Sequence, residues 1–213
     1  MIEDEESALA WLKSLPEWGA QVRARLDTLI CLLAEENSRQ NLVSASSLEH
    51  IWQRHIADSA QLLLHVPRET CGQWLDLGTG AGFPGVVIAV LRPDLNVCMV
   101  ESRPKRAAWL EQVIAALELT RAQVAPSRLE LLETRPASVI SARAFAPIDR
   151  LLKLSARFST ADTLWLLPKG RSAAHELQEL SGWHHMFHVE QSLTDREAGL
   201  IVGRLNSKVR HGK

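Results

Sequence analysis

The chain has 213 residues, 46% hydrophobic and 23% charged, with a formal net charge of −1. That is enough for one α/β domain plus an extension, with the composition of an ordinary soluble globular protein. No apolar run approaches the roughly 18 residues a membrane span needs. The acidic opening Met1-Ile-Glu-Asp-Glu-Glu is unlike a secretory signal, so the expected location is cytoplasmic.

Residues 4–70 read as helical. Pro16 precedes a helix over Glu17–Glu36 whose Val22, Leu26, Leu29, Ile30 and Leu33 form one apolar stripe. After a polar break at 37–41, Ser47 is placed to cap a second helix, Leu48–His65, ended by Pro67. From Gln73 the pattern alternates. Strands are expected at 73–77, 96–100, near 122–125, near 137–142 and at 163–167. Helices are expected at 84–91, 104–117, 147–158 and 172–180. Two last strands, near 183–191 and 199–205, are joined by a loop alone and suit an antiparallel pair. Repeated βα units imply a parallel sheet with helices on both faces.

Residues 1–70 hold 6 Lys/Arg against 11 Asp/Glu, and residues 71–213 hold 18 against 14. That leaves room for a basic patch on the second part, though scattered surface charges give the same count. Cys31, Cys71 and Cys98 form no C-x-x-C pair and read as buried thiols. His184, His185 and His188 lack a metal-binding form and read as surface or structural residues, so no metal is expected.

The stretch that organises the chain is Trp74–Gly85, with glycines at 78, 80, 82 and 85 between an apolar strand and an apolar helix. Glycine reaches φ > 0 and lets backbone approach a ligand closely. Pro84 suits a first helical position, and N–H groups there would favour an anionic ligand group. Gly80, Gly82 and Gly85 match G-x-G-x-x-G, which keeps a dinucleotide in play. The D-x-G-x-G-x-G phrase from Asp76 to Gly82 instead resembles the first motif of S-adenosylmethionine-dependent methyltransferases. There the glycines run under the methionine part of the cofactor, and the acidic residue lies near its amino group. Glu101, 23 residues after Gly78, ends the second strand, where a carboxylate can accept ribose hydroxyls. With no Tyr in the chain a Tyr–Lys dehydrogenase pair cannot exist, so a nucleotide-dependent oxidoreductase is the second reading.

Further phrases narrow the resemblance: Asn41-Leu42 with Arg54-His55-Ile56-Ala57-Asp58-Ser59, the glycine loop with its proline, Glu101-Ser-Arg-Pro-Lys-Arg106, Ala142-Arg-Ala-Phe-Ala146 and Lys169-Gly170. Together they resemble the RsmG (GidB) family of bacterial ribosomal RNA small-subunit methyltransferases. One departure is Leu129-Glu130, where that family often has Ala-Glu. The resemblance implies a Rossmann-like class I methyltransferase fold, with a mostly parallel seven-stranded sheet. It implies one domain over 1–213, with a helical extension at 1–70 and an S-adenosylmethionine-binding core at 71–213. The implied reaction methylates N7 of a guanosine in the decoding-region loop of 16S rRNA. The expected partners are 16S rRNA or the small ribosomal subunit, with no membrane, and the chain acting as a monomer.

The cofactor residues implied are Asp76, Gly78, Gly80, Gly82, Phe83, Glu101, Leu129, Glu130 and Arg143. Arg143 is also expected to meet guanine O6 or a phosphate of the RNA, with a structural ion pair as the alternative, and Lys169 and Arg171, which follow the fifth strand, read as RNA contacts or as solvated charges. No catalytic base is expected, because N7 carries a lone pair and no proton. His55 and Asp58 share a helix face, and their expected role is packing of that helix on the sheet.

Overall fold

A computed structural model describes residues 1–208. Three layers result. The sheet runs β3-β2-β1-β4-β5-β8-β6, with β7 also paired to β8. Its parallel core is β1 (Gln73–Leu77), β2 (Asn96–Val100), β3 (Ala122–Ala125), β4 (Val139–Ser141) and β5 (Leu164–Gly170). β8 (Gly199–Lys208) runs antiparallel to β5, β6 (Trp183–His185) and β7 (His188–Gln191). The expected antiparallel closing pair is present. The expected single strand near 183–191 is two, so among the described residues the sheet has eight strands rather than seven. The break lies at Met186–Phe187, opposite Gly203 (φ +150), where a Cβ would run into the Met186 carbonyl. The register slips beside it, and Phe187 stacks on His185.

The N-terminal part holds α1 (Glu5–Ser14), α2 (Ala20–Gln40) and α3 (Ala45–Glu49). Asp4 and Ser7 form a capping box for α1, a helix the sequence reading had not separated. The stripe on α2 buries Leu26, Leu29 and Leu33. The expected helix over 48–65 is broken into pieces. Ser44, rather than Ser47, caps α3. A π-helical turn over Trp52–Ala57, α4 (Asp58–Ala60) and a 3₁₀ turn over Gln61–His65 follow. The Glu5 carboxylate accepts the backbone N–H groups of Trp52 and Gln53 at 3.0 and 2.8 Å, tying α1 to the start of that turn.

α5 (Gly85–Leu91), α6 (Pro104–Ala116), α7 (Ile148–Ser155) and α8 (Ala173–Glu179) complete the layers. Strand residues alternate between two cores although both faces are covered. Trp74, Val97, Met99 and Leu166 face the core shared with α2, α5 and α6. Leu75, Cys98, Ile140 and Trp165 face the one shared with α7. On α6 the buried residues are Ala107, Trp109, Leu110 and Val113, and Ala108 is exposed. Cys98 is buried as expected, whereas Cys31 and Cys71 are exposed.

Candidate functional site

The carboxyl ends of β1, β2, β4 and β5 carry the site, as expected for an open α/β sheet. After Leu77 the loop folds on its own backbone. Thr79 donates to the Val100 carbonyl, and Gly82 and Phe83 both donate to the Thr79 carbonyl. Gly78, Gly80 and Gly82 all take positive φ. At Gly80 (φ +61) a Cβ would meet nothing nearer than Arg106 Nη1 at 3.6 Å, so this backbone lies open. At Gly85 the constraint is room: a Cβ would lie 2.5 Å from Met99 Cγ and 2.8 Å from Asp76 Oδ2.

α5 opens at Gly85 with Pro84 as its cap residue, one position later than the sequence suggests. Its first N–H points inward and donates to Asp76 Oδ2 at 3.0 Å, rather than outward to an anion. Asp76 has no exposed surface. Its other oxygen accepts from Ser141 Oγ at 2.7 Å, and that hydroxyl accepts from Trp74 Nε1 at 2.8 Å. Burial pushes the Asp76 carboxyl above its ordinary pKa, against the opposing pull of these hydrogen bonds. Asp76 is therefore a brace beneath the loop, joining β1, β4 and α5, where the sequence reading set it beside the cofactor's amino group.

Glu101 sits at the end of β2, 6% exposed. Its Oε2 accepts from the Gly80 N–H at 3.1 Å and its Oε1 from the Arg103 N–H at 2.8 Å. It thus pins the glycine loop to the start of α6. A carboxylate has about four lone-pair sites, so these two bonds leave it acceptor capacity. Beside it is a cavity of about 250 Å³ bounded by Gly78, Glu101, Ser127, Leu129, Glu130 and Phe145. Leu129 is buried, and Glu130 lies at the rim, paired with Arg128 at 3.4 Å.

A second cavity, of about 590 Å³, also has Phe145 in its wall. Arg54, His55, Asp58 and Arg143 line it. Arg143 Nη1 bonds Asp58 Oδ2 at 3.2 Å and the Arg54 carbonyl at 3.3 Å. Its Nη2 lies 2.9 Å from His55 Nδ1. A guanidinium only donates, so Nδ1 accepts and the ring is neutral with its proton on Nε2. Burial, with Arg143 and Arg54 nearby, holds the His55 pKa down at about 3. His55 stacks on Phe83 at 4.7 Å, and the Arg143 guanidinium lies 5.2 Å from the same ring. Phe83 is only 2% exposed and supports this wall from behind.

Lys169 and Arg171 part company. The Lys169 side chain is 7% exposed, 2.9 Å from Glu176 Oε2, and donates to the Ala146 carbonyl. It is a strut between β5, α8 and the 142–147 loop. Arg171 is 79% exposed and pairs with Glu197.

Three features escaped the sequence reading: the Trp74–Ser141–Asp76 relay, the clamp of Arg143 onto His55 and Asp58, and the Lys169–Glu176 pair. The clamp had a signal, since both of its phrases were visible. Their meeting across 85 residues was not.

A family model described as rRNA small subunit methyltransferase G (GidB) matches residues 23–196. A protein of Erythrobacter litoralis (strain HTCC2594) is 57% identical over 209 residues, 98% of this chain and 100% of that one. One of Novosphingobium aromaticivorans is 59% identical over 204 residues, 94% of this chain and 88% of that one. Both are named ribosomal RNA small subunit methyltransferase G. Among solved structures, a mutant of MtNAS in complex with S-adenosylmethionine superposes with a TM-score of 0.57 at 18% identity, covering 96% of this chain and 84% of that one. Mitomycin 7-O-methyltransferase MmcR gives 0.59 at 15% identity, covering 94% and 72%. At such identities these two speak for the fold alone.

Proposed function

The chain belongs to the ribosomal RNA small subunit methyltransferase G family, and from that premise we propose that it methylates N7 of a guanosine in the decoding-region loop of 16S rRNA, with S-adenosylmethionine as donor. The observation that carries this reading is the pair of cavities meeting at Phe145, one built on the glycine loop and Glu101, the other on Arg143. A donor needs the first and an acceptor base the second.

The bound donor would supply an activated methyl group on a sulfonium. The chain's own residues bind and align. Gly80 offers open backbone to the donor, while Gly78 and Gly82 give the turn its positive φ. Glu101, oriented by the Gly80 and Arg103 N–H groups, would accept ribose hydroxyls. Leu129 and the backbone at Glu130 would hold the adenine. Asp76 and Phe83 act through the loop and wall they support. In the acceptor cavity Arg143 is fixed by Asp58 and His55, and its remaining N–H groups suit guanine O6 or a phosphate. Placing a cation against N7 itself would oppose the positive charge that methylation creates there.

The site holds a histidine unsuited to taking a proton, neutral and engaged at Nδ1. That fits an acceptor atom with no proton to lose. The rate advantage then comes from holding N7, carbon and sulfur in line. We place this reaction in the cytoplasm, on 16S rRNA or the small subunit, with Arg171 as the exposed RNA contact. Methyl-labelled donor offered with deproteinised RNA and with assembled small subunits tests the reading. Label should enter at least one of them; label in neither overturns it.

A further inference from the structure

The loop from Ala142 to Pro147 leaves the end of β4 between the two cavities. It is clamped at both ends. Arg143 is held by His55, Asp58 and the Arg54 carbonyl. The Ala146 carbonyl is held by Lys169, and the Ile148 N–H by Glu176 at 2.9 Å. Between the clamps stand Ala144 and Phe145. Ala144 is exposed and has φ 52, in the left-handed region that L side chains rarely take. Phe145 is half-buried and forms part of the wall of both cavities.

The ring of Phe145 rests directly on Gly78. A Cβ built on Gly78 would run into ring carbon Cδ2 and lie 3.0 Å from Cε2. Two requirements meet here, and both rest on the donor reading above. A donor lying along the glycines needs the space over Gly78. A methyl group must also pass from the donor cavity to the acceptor cavity, with the reacting atoms within about 3–3.5 Å. A ring that rests on Gly78 and walls both cavities obstructs both. The larger cavity has room to receive it.

We infer that Phe145 is a gate: its ring covers Gly78, and donor binding moves it into the larger cavity, opening the passage and giving the acceptor cavity its working shape. Movement is confined to Ala144–Phe145, because the residues on either side are clamped. The consequence is order. The donor enters first, and the RNA base is accepted only afterwards.

A gate that covers its site reduces apparent affinity by the fraction of molecules that are open. If about one molecule in ten is open, removing the ring should tighten donor binding about tenfold. Calorimetry on wild type, Phe145→Ala and Phe145→Leu would use S-adenosylmethionine, S-adenosylhomocysteine and adenosine. Phe145→Ala should bind the first two about tenfold tighter. Adenosine, which lacks the methionine part laid along the glycines, should gain clearly less than either. A folded variant that binds the donor no tighter than wild type overturns the gate. A wild-type protein that binds no donor sinks the donor reading, and the gate with it.

Should the variants not fold, the wild type decides. The chain has four phenylalanines, so 4-fluorophenylalanine labelling gives a resolvable fluorine spectrum, with conservative Leu substitutions at the other three positions assigning Phe145 by elimination. Saturating donor should shift the Phe145 resonance. An unmoved resonance in donor-saturated protein overturns the proposal.

Discussion

Replacing Lys169 separates a strut from an RNA contact. Lys169→Met would leave the Glu176 carboxylate without its cation, holding only Ser172 Oγ and the Ile148 N–H. Removing one partner of a fully buried pair costs about 3–5 kcal/mol. The Glu176 side chain is 20% exposed, so partial rehydration should bring the loss to about 2–3 kcal/mol. The Ala146 carbonyl also loses its donor, loosening the loop that carries Phe145. Burial pushes the Glu176 carboxyl up, but Lys169, Ser172 and the Ile148 N–H outweigh it and hold it below its ordinary pKa. Its contribution is therefore present above the ordinary carboxylate pKa and fades as pH falls through the lowered folded one. Urea unfolding at neutral and acid pH reads both effects. Lys169→Met should lose stability at neutral pH and show a smaller further loss on acidification. Lys169→Met with Glu176→Gln should recover much of the deficit, since a neutral pair leaves no buried charge. A variant as stable as wild type, yet with weaker RNA binding and a shallower salt dependence, would refute the strut and restore the RNA contact.

Glu101→Ala should weaken S-adenosylmethionine and S-adenosylhomocysteine alike by about 1.5–3 kcal/mol, since a charge-assisted acceptor is lost from the part they share; equal calorimetric affinity in the variant counts against the ribose role. Neutral His55, held at about 3, adds stability above its ordinary value near 6.5 that is lost as pH falls from there toward 3. His55→Asn should flatten the stability profile over that window, and an unchanged profile would show that the ring does not titrate there. Arg171→Ala should leave the melting temperature unchanged, because the side chain is 79% exposed, and lower the salt slope of RNA binding by about 1.

Much of this was readable in the chain because its signals are local. The glycine turn, the strand-ending Glu101 and the alternation of strands and helices each follow from a few neighbouring residues. What could not be read depends on contacts between distant segments. Asp76 looks like a ligand in sequence, and only the arrival of Ser141 from β4 and Gly85 from α5 makes it a brace. Lys169 looks like a surface cation until α8 folds back to present Glu176. The helix expected over 48–65 has the right apolar content. Its π-helical turn answers to packing and to the Glu5 carboxylate, which no periodicity shows.

Nucleoside mass spectrometry of small-subunit rRNA tests the central claim most directly. RNA from cells with the gene intact should contain 7-methylguanosine at a decoding-region guanosine, and RNA from cells without it should lack that one mark. Adding purified protein and S-adenosylmethionine to the unmodified RNA or subunit should restore it. An unchanged 7-methylguanosine content, together with no methyl transfer in the purified system, would contradict the account.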